Sequence, residues 1–318
     1  MIEGVPIVTE VLESVGPAAE IAVGDEILAV DGEVCADRIA RVSRYISAST
    51  PQALRNLTFW WMVQQPDGSS QHLPLSWLVG GAEGSVAKLE IRDRAGGVKN
   101  IELVRSRVYT EQAIHQRSGD ILRSLPENIG YADLDRLQPS MVDDMLERFR
   151  DAKAIVFDVR GYPQGTAWAI APRLTEASAP VAALFRTPML SSPDLAQASA
   201  REMAQRLPAT DKRRYAGKTF LLVDERTRSQ GEHTGLFLEA ANGTPFVGGP
   251  TDGANGDVTD FVVPGGICIS FTGREVRHAD GRQLQRLGLV PQYEVEPTIA
   301  GIRAGRDEVL EKALELAR

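Results

Sequence analysis

Lysine is scarce in this sequence: only six of its 35 basic residues are Lys, at positions 88, 99, 153, 212, 218 and 312. None falls between Lys218 and Lys312, which excludes a catalytic lysine from that stretch. With 43 acidic residues and a net charge of -8, the balance argues against a dedicated nucleic-acid binder, because neutralising phosphates takes clustered Lys and Arg. Cysteine is limited to Cys35 and Cys268, which lack ligand-like spacing and read as two unrelated buried thiols, with a single disulfide as the alternative. Four scattered His form no HxxxH pattern and no CxxC is present, so neither a metal site nor a cofactor is expected. No run approaches the eighteen apolar residues of a membrane span, and the N-terminus lacks the basic-then-apolar pattern of an export signal. The chain opens inside what reads as structured sequence, as a fragment of a longer protein would.

What is present is a soluble globular composition, 43% hydrophobic and 25% charged over 318 residues, enough for two domains. Val5–Val11 reads as a strand, Gly16-Pro17-Ala18-Ala19 as a break starting a helical turn, and residues 23–32 as a strand closing on an Asp31-Gly32 turn. Ile39, Val42 and Ile46 space a helix over 34–50. Trp60, Trp61 and Trp77 sit in a less regular segment, the Trp60-Trp61 pair reading as core. Strands follow at Val86–Arg92 and Asn100–Val104, joined through Gly96-Gly97. Residues 1–108 are therefore expected to form a small β-rich domain, and 109–127 a linker.

From residue 128 the pattern alternates strand and helix. Strands are expected at 129–134, 154–159, 181–185, 219–223, 245–248 and 267–271. Helices are expected after Ser140 (with Asp143 completing a capping box), from about 165, over about 229–241, and at the C-terminus with Val309, Leu310, Ala313, Leu314 and Ala317 on one face. Residues 188–213 read as a polar excursion with partial helical pattern. The fold class expected for 128–318 is an α/β core whose mostly parallel sheet is covered by helices.

Three segments carry candidate chemistry. Phe157-Asp158-Val159-Arg160-Gly161-Tyr162-Pro163-Gln164-Gly165 leaves the carboxyl end of a buried strand, where such folds place ligands, and Gly161 there allows a backbone N–H to face an oxyanion. The competing reading is an ordinary strand-to-helix turn. Asp224-Glu225-Arg226-Thr227-Arg228-Ser229-Gln230-Gly231-Glu232 enters a helix at Ser229, whose hydroxyl would face free N–H groups and a positive helix end, as a nucleophile needs. The competing reading makes Ser229 a simple N-cap. The third segment, Phe246 to Asp257, is a Gly-rich loop able to line a cleft or merely to connect strands.

Taken together, these segments resemble the C-terminal processing (tail-specific) serine proteases and their tricorn-like relatives. Gly4-Val5-Pro6-Ile7-Val8 and Val23 to Gly32 look like that family's PDZ domain. Asp158 to Gly165 is similar to its Asp-Leu-Arg-Gly-Asn-x-Gly-Gly loop, with Gln164 in place of one Gly, and Gly288-Leu289-Val290-Pro291-Gln292 resembles a C-terminal segment. The resemblance implies a PDZ-like domain ahead of a crotonase-like peptidase core. It implies a serine endopeptidase acting on peptides or unfolded and C-terminal protein segments, with Ser229 as nucleophile and the Gly161 and Gln230 N–H groups as oxyanion donors. Gly4, Val5, Pro6 and Ile7 would receive a peptide end.

The family's Ser–Lys dyad is excluded, since Gly253-Ala254-Asn255-Gly256 stands in the lysine's place. The tricorn-like branch implies instead a His base from upstream of this chain. Within it, His233, one turn beyond Ser229, and Gln285, near the expected supporting carboxylate, are candidate support, and His278 is another possible base. The alternative is a catalytically silent PDZ-containing peptide-binding or scaffold protein of the same fold. An acyl-CoA enzyme would leave Ser229 and the PDZ module without a role. Expected partners are a peptide or protein substrate, no nucleic acid, no integral membrane segment, and a homo-oligomer as an allowed state. The resemblance implies an extracytoplasmic location if an export signal precedes the chain, and a cytoplasmic one otherwise.

Overall fold

The computed structural model describes residues 1–11, 20–64, 70–74, 84–104, 117, 119–189 and 199–318. Two compact units divide the chain: Met1–Ser118 with Val295–Glu311, and Gly119–Glu294 with Lys312–Arg318.

In the first unit, Glu33–Val34, Glu26–Val30, Val86–Arg92 and Val98–Val104 lie in that order in an antiparallel sheet. Val86–Arg92 alternates strictly, with Ala87, Leu89 and Ile91 buried against Val30, Cys35 and Ile101. Asp31 and Gly32 both have positive φ, as the two-residue hairpin turn into Glu33 requires. The expected Val5–Val11 strand is reduced to isolated bridges, Ile2 to Val5 and Ile7 to Glu26, because Pro6 has no N–H to extend a ladder. The helix expected over 34–50 stops sooner, as Cys35–Val42 and a 3-10 turn at Ser43–Tyr45. The helical turn at 16–19, Trp77 and the side chains of Trp60 and Trp61 lie outside the described residues, as does most of the 109–118 part of the expected linker. The rest of that linker carries a strand, Leu122–Leu125. Residues 295–311, expected within the core, group with the first unit.

The second unit is built on a six-stranded sheet in the order Tyr293–Glu294, Phe246–Gly248, Lys218–Val223, Ala154–Asp158, Ile129–Asp133, Leu122–Leu125. All pairings are parallel except the last. Ala154–Asp158 is buried at every position, as an apolar run covered on both faces must be. A second, antiparallel sheet places Val181–Met189 between Ser199–Arg206 and Glu275–His278, so the sheet content is mixed rather than mostly parallel. Ser199–Arg206 corrects the helical pattern read in 188–213: it is the outer arm of a hairpin, largely solvated, and so lacks an apolar stripe of either period. The Ser140 cap is also corrected. Pro139–Met141 forms a 3-10 turn ahead of helix Val142–Arg148, no side chain caps that helix, and Asp143 pairs instead with Arg173 and Lys212.

Val258–Val263 and Ile267–Thr272 form a separate hairpin, exposed except at Val263, with Phe261 against Phe271. Cys268 lies on it and is exposed, contrary to the expected burial; Cys35 is buried, and both thiols are free. No described helix is long and apolar enough to cross a membrane.

Candidate active site

The turn from Lys218–Val223 into helix Gln230–Asn242 is pinned by its own polar residues. Asp224 accepts from the Arg226 N–H and guanidinium, and the Thr227 N–H donates to Asp224 O. The fully buried Thr227 hydroxyl reaches the neighbouring strand end, donating to Val159 O at 2.8 Å. Ser229, half-buried, ends this turn at φ 47°, ψ -105°, a backbone conformation that costs a non-Gly residue of order 1–3 kcal/mol. It occupies the N-cap position, yet its side chain makes no capping bond, and the hydroxyl has no partner among the described residues. The simple-cap reading therefore does not account for this serine. Its neighbour Gln230 begins the helix, so its N–H has no intrahelical acceptor, and no other described group takes it.

The Asp158–Gly165 loop lies alongside. A Cβ on Gly231 would stand 3.3 Å from Gly161 O, and one on Gly165 would stand 3.9 Å from the Gln230 side-chain amide. Asp158, fully buried, accepts from the Tyr131 hydroxyl at 2.9 Å and from Arg160 at 2.7 and 3.1 Å, which fixes the strand end. Glycine at 161 makes room for Asp135, whose Oδ2 would lie 2.0 Å from a Cβ there, so any side chain at 161 displaces that carboxylate. Its N–H donates to Val159 O at 2.7 Å, so here Gly161 turns its carbonyl, not its N–H, towards the nucleophile turn. Gln164, where the resembled motif has Gly, uses its side chain to donate to Asp135 O.

Glu232, one turn into the helix, is wholly buried and gathers the Gly-rich loop. Its carboxylate accepts from the Thr251 hydroxyl (2.6 Å), Gly253 N–H (2.6 Å) and Ala254 N–H (3.1 Å). Burial drives its pKa up from 4.5 to about 7, against the lowering effect of those bonds. The loop is tied further by Asp252 N–H to Thr227 O and by the Arg228–Asp252 ion pair at 3.0 Å.

His233 and Gln285 meet at Asn255. The His233 ring lies between Gln205 Oε1 (2.6 Å from Nε2) and Asn255 Nδ2 (3.2 Å from Nδ1), while Gln285 donates to Asn255 O at 2.6 Å. An amide oxygen on one side and an amide NH2 on the other assign the proton to Nε2 and leave Nδ1 as acceptor. Burial lowers the His233 pKa to about 4. Both ring nitrogens of His233 are thus turned to amide side chains rather than to the Ser229 hydroxyl. His278 pairs with Glu239, ten residues along the helix from Ser229 and thus about 15 Å away along its axis. His278→Gln is expected to cost about 1–2 kcal/mol of stability and to leave turnover within twofold, read by urea denaturation and peptide hydrolysis.

In the first unit, the Val5 N–H donates to Ile2 O and Val8 N–H to Asp25 O, while Pro6 has none. Ile7 belongs to a non-hydrogen-bonded bridge, so its N–H and C=O point to the outer edge of the pair. Sequence reading missed Asp135, Thr227, Thr251 and Asn255. Thr251 and Asn255 lay in a loop already marked as Gly-rich, but nothing local signalled their partners.

Comparison with known proteins follows the same geometry. The model of the family described as Peptidase family S41 matches residues 128–295, just over half of the chain. No curated protein sequence matches. Among solved structures, mature CPAF complexed with lactacystin aligns with a TM-score of 0.68 at 16% identity, covering 94% of this chain and 78% of CPAF. Mature CPAF alone gives 0.64 at 16% identity, covering 92% and 76%. A candidate peptidase from Parabacteroides merdae ATCC 43184 gives 0.55 at 20% identity over 62% of this chain, which in turn spans 63% of that protein. At these identities the likeness is one of fold.

Proposed function

We propose, for a chain that belongs to peptidase family S41 and is classed with the serine peptidases, an endopeptidase working through an acyl-enzyme on Ser229. The observation that carries this reading is the serine itself: a strained residue at a helix start whose hydroxyl, like the neighbouring Gln230 N–H, has no partner among the described residues. Ser229 Oγ attacks the scissile carbonyl and its proton passes to a base. The amine leaves with a proton from that base, and water then releases the acyl group. The Gln230 N–H receives the oxyanion. The second donor is the Gly161 N–H, after the short turn to Val159 O rotates to release it. A His from outside residues 1–318 acts as that base, a reading supported by the engagement of His233 with Gln205 and Asn255 and of His278 with Glu239.

The substrate class is an extended or unfolded polypeptide. The first unit is read as PDZ-like, and the outward edge at Ile7 supports strand addition by a peptide near Gly4–Ile7. The core is read as crotonase-like, supported by parallel strands that follow chain order beside a second antiparallel sheet. A second reading, a silent scaffold of the same fold, draws on the Gly161 N–H being engaged by Val159 O and on the occupied His233 nitrogens.

Labelling with a fluorophosphonate probe separates the two. Residues 1–318, a form extended by the upstream reading frame, and Ser229→Ala in each are compared. Labelling lost in Ser229→Ala establishes the nucleophile, and labelling only in the extended form places the base upstream. No labelling in either form supports the scaffold. Lactacystin, bound in the CPAF crystals, is a second probe.

A further inference from the structure

Strands Val258–Val263 and Ile267–Thr272 form a two-stranded sheet of their own, paired with no other described strand. The base of this hairpin is clamped where the Gly-rich loop ends. Gly273 N–H donates to Asp257 O and Arg274 N–H to Gly256 O, both at 2.9 Å, and Arg274 pairs with Asp257 at 3.3 Å. From there each arm runs for six residues, about 20 Å. Thr259 faces Phe271, Phe261 faces Ile269 and Val263 faces Ile267, which puts those six side chains on one side of the hairpin. That side carries no charge. Asp260, the one charged residue of 258–272, lies on the other side, where its carboxylate accepts from the Ser270 hydroxyl.

The apolar side is turned to solvent: Phe261, Ile267, Ile269 and Phe271 are 46%, 61%, 40% and 50% exposed. At roughly 200 Å² for side chains of this size, the four leave about 400 Å² uncovered, enough to mark an interaction site on a monomer. A lone two-stranded hairpin is also marginal in water and needs packing on one face to hold its shape. We propose that this face is covered by the same face of a second copy of the chain. Stacked about a two-fold axis, two such faces bury about 800 Å² from these four residues alone. Thr259, Val263 and the Pro264-Gly265-Gly266 tip bring the total above about 1,000 Å², the area a specific interface needs. A two-fold contact sets a patch against itself, so the patch must not repel its own image. In a chain of net charge -8, acidic surfaces resist self-association, and this uncharged face is free of that penalty. Phe261 and Phe271, their ring centroids 6.0 Å apart at 74°, give each arm an aromatic anchor of the kind that dominates interfaces. The inference does not depend on the Ser229 reading.

The test is sedimentation velocity of the 318-residue chain from about 1 to 200 μM. Reductant is present throughout, because Cys268 is exposed and free. Expected is a monomer–dimer equilibrium in the micromolar range. Ile267→Lys sets like charges across the axis and should raise the dissociation constant tenfold or more. Val262→Lys, on the opposite side of the hairpin and 68% exposed, should leave it within twofold. Both positions are solvent-exposed in the single chain, so both variants should keep the urea midpoint of the parent at monomeric concentration. A parent that stays monomeric at the highest concentration overturns the proposal, as does a dimer that Ile267→Lys leaves intact. So does an equal loss in both variants, which would place the contact at the hairpin's edges or tip. If the parent is monomeric and Ile267→Lys weakens its binding to reduced, carboxymethylated α-lactalbumin, a permanently unfolded chain, the face belongs to polypeptide substrate instead.

Discussion

Ser229→Gly is expected to yield a protein that is more stable than the parent and almost devoid of turnover. The stability gain follows from the backbone. At φ 47°, ψ -105° a serine carries strain of order 1–3 kcal/mol that glycine does not, and the greater freedom of glycine in the unfolded chain offsets about 0.5–1 kcal/mol of that. A net gain of about 1 kcal/mol should appear as a raised urea midpoint with unchanged m-value. The loss of turnover follows from the proposed role of Ser229, since removing the nucleophile of a serine peptidase costs on the order of 10⁴-fold or more. Ser229→Ala separates the two effects: it loses turnover equally but keeps the strained φ, so it gains no stability. A simple helix cap would behave oppositely, losing about 1 kcal/mol on replacement by Ala. A Ser229→Gly protein no more stable than Ser229→Ala would remove strain from the account of this site.

The second large effect lies in how pH acts on adjacent residues of one helix. Glu232 titrates near 7 in the folded protein against 4.5 ordinarily, so folding favours its protonated form. The stability this gives is complete below about 4.5 and is lost as pH rises through about 7. His233 titrates near 4 against 6.5, so folding favours its neutral form, and that stability is complete above about 6.5 and lost as pH falls through about 4. Each contributes about 3 kcal/mol in total, a slope of about 1.4 kcal/mol per pH unit. Between about pH 4.5 and 6.5 the slopes oppose and cancel, and single substitutions unmask them. Relative to the parent, Glu232→Gln should make stability climb with pH across this window, and His233→Gln should make it descend. Urea denaturation at pH 4.5, 5.5 and 6.5 is the measurement. Parallel profiles for parent and variants would mean that neither group is held away from its ordinary titration.

Much of the core was legible because its signals are local. Strands Ala154–Asp158 and Lys218–Val223 announce themselves through the apolar runs 154–157 and 220–223, and helix Gln230–Asn242 follows its serine start and ends at Gly243 in the left-handed conformation. Ser199–Arg206 escaped because a solvated hairpin arm has no face to pattern. Within the site, Ser229 and Gly161 could be found from their settings at strand ends. The company they keep could not: Thr227 reaches Val159 across 68 residues, and Asp135 lies over Gly161 from a different strand end. Nor could the silence of His233, which depends on Gln205 and Asn255, each more than twenty residues away. A histidine one turn past a candidate nucleophile invites the reading of a base, and only the fold reveals which side chains meet its two nitrogens.

The six-stranded sheet adds each new strand beside the previous one, with no strand skipped. During synthesis such a sheet is able to grow in the order in which it emerges from the ribosome, each strand docking on an edge already made. The Ser229 turn is synthesised before its supports: Thr251 and Leu289, which tie the loop beside it, come 22 and 60 residues later. A nascent chain stalled between these points carries the serine without the scaffold that holds its turn.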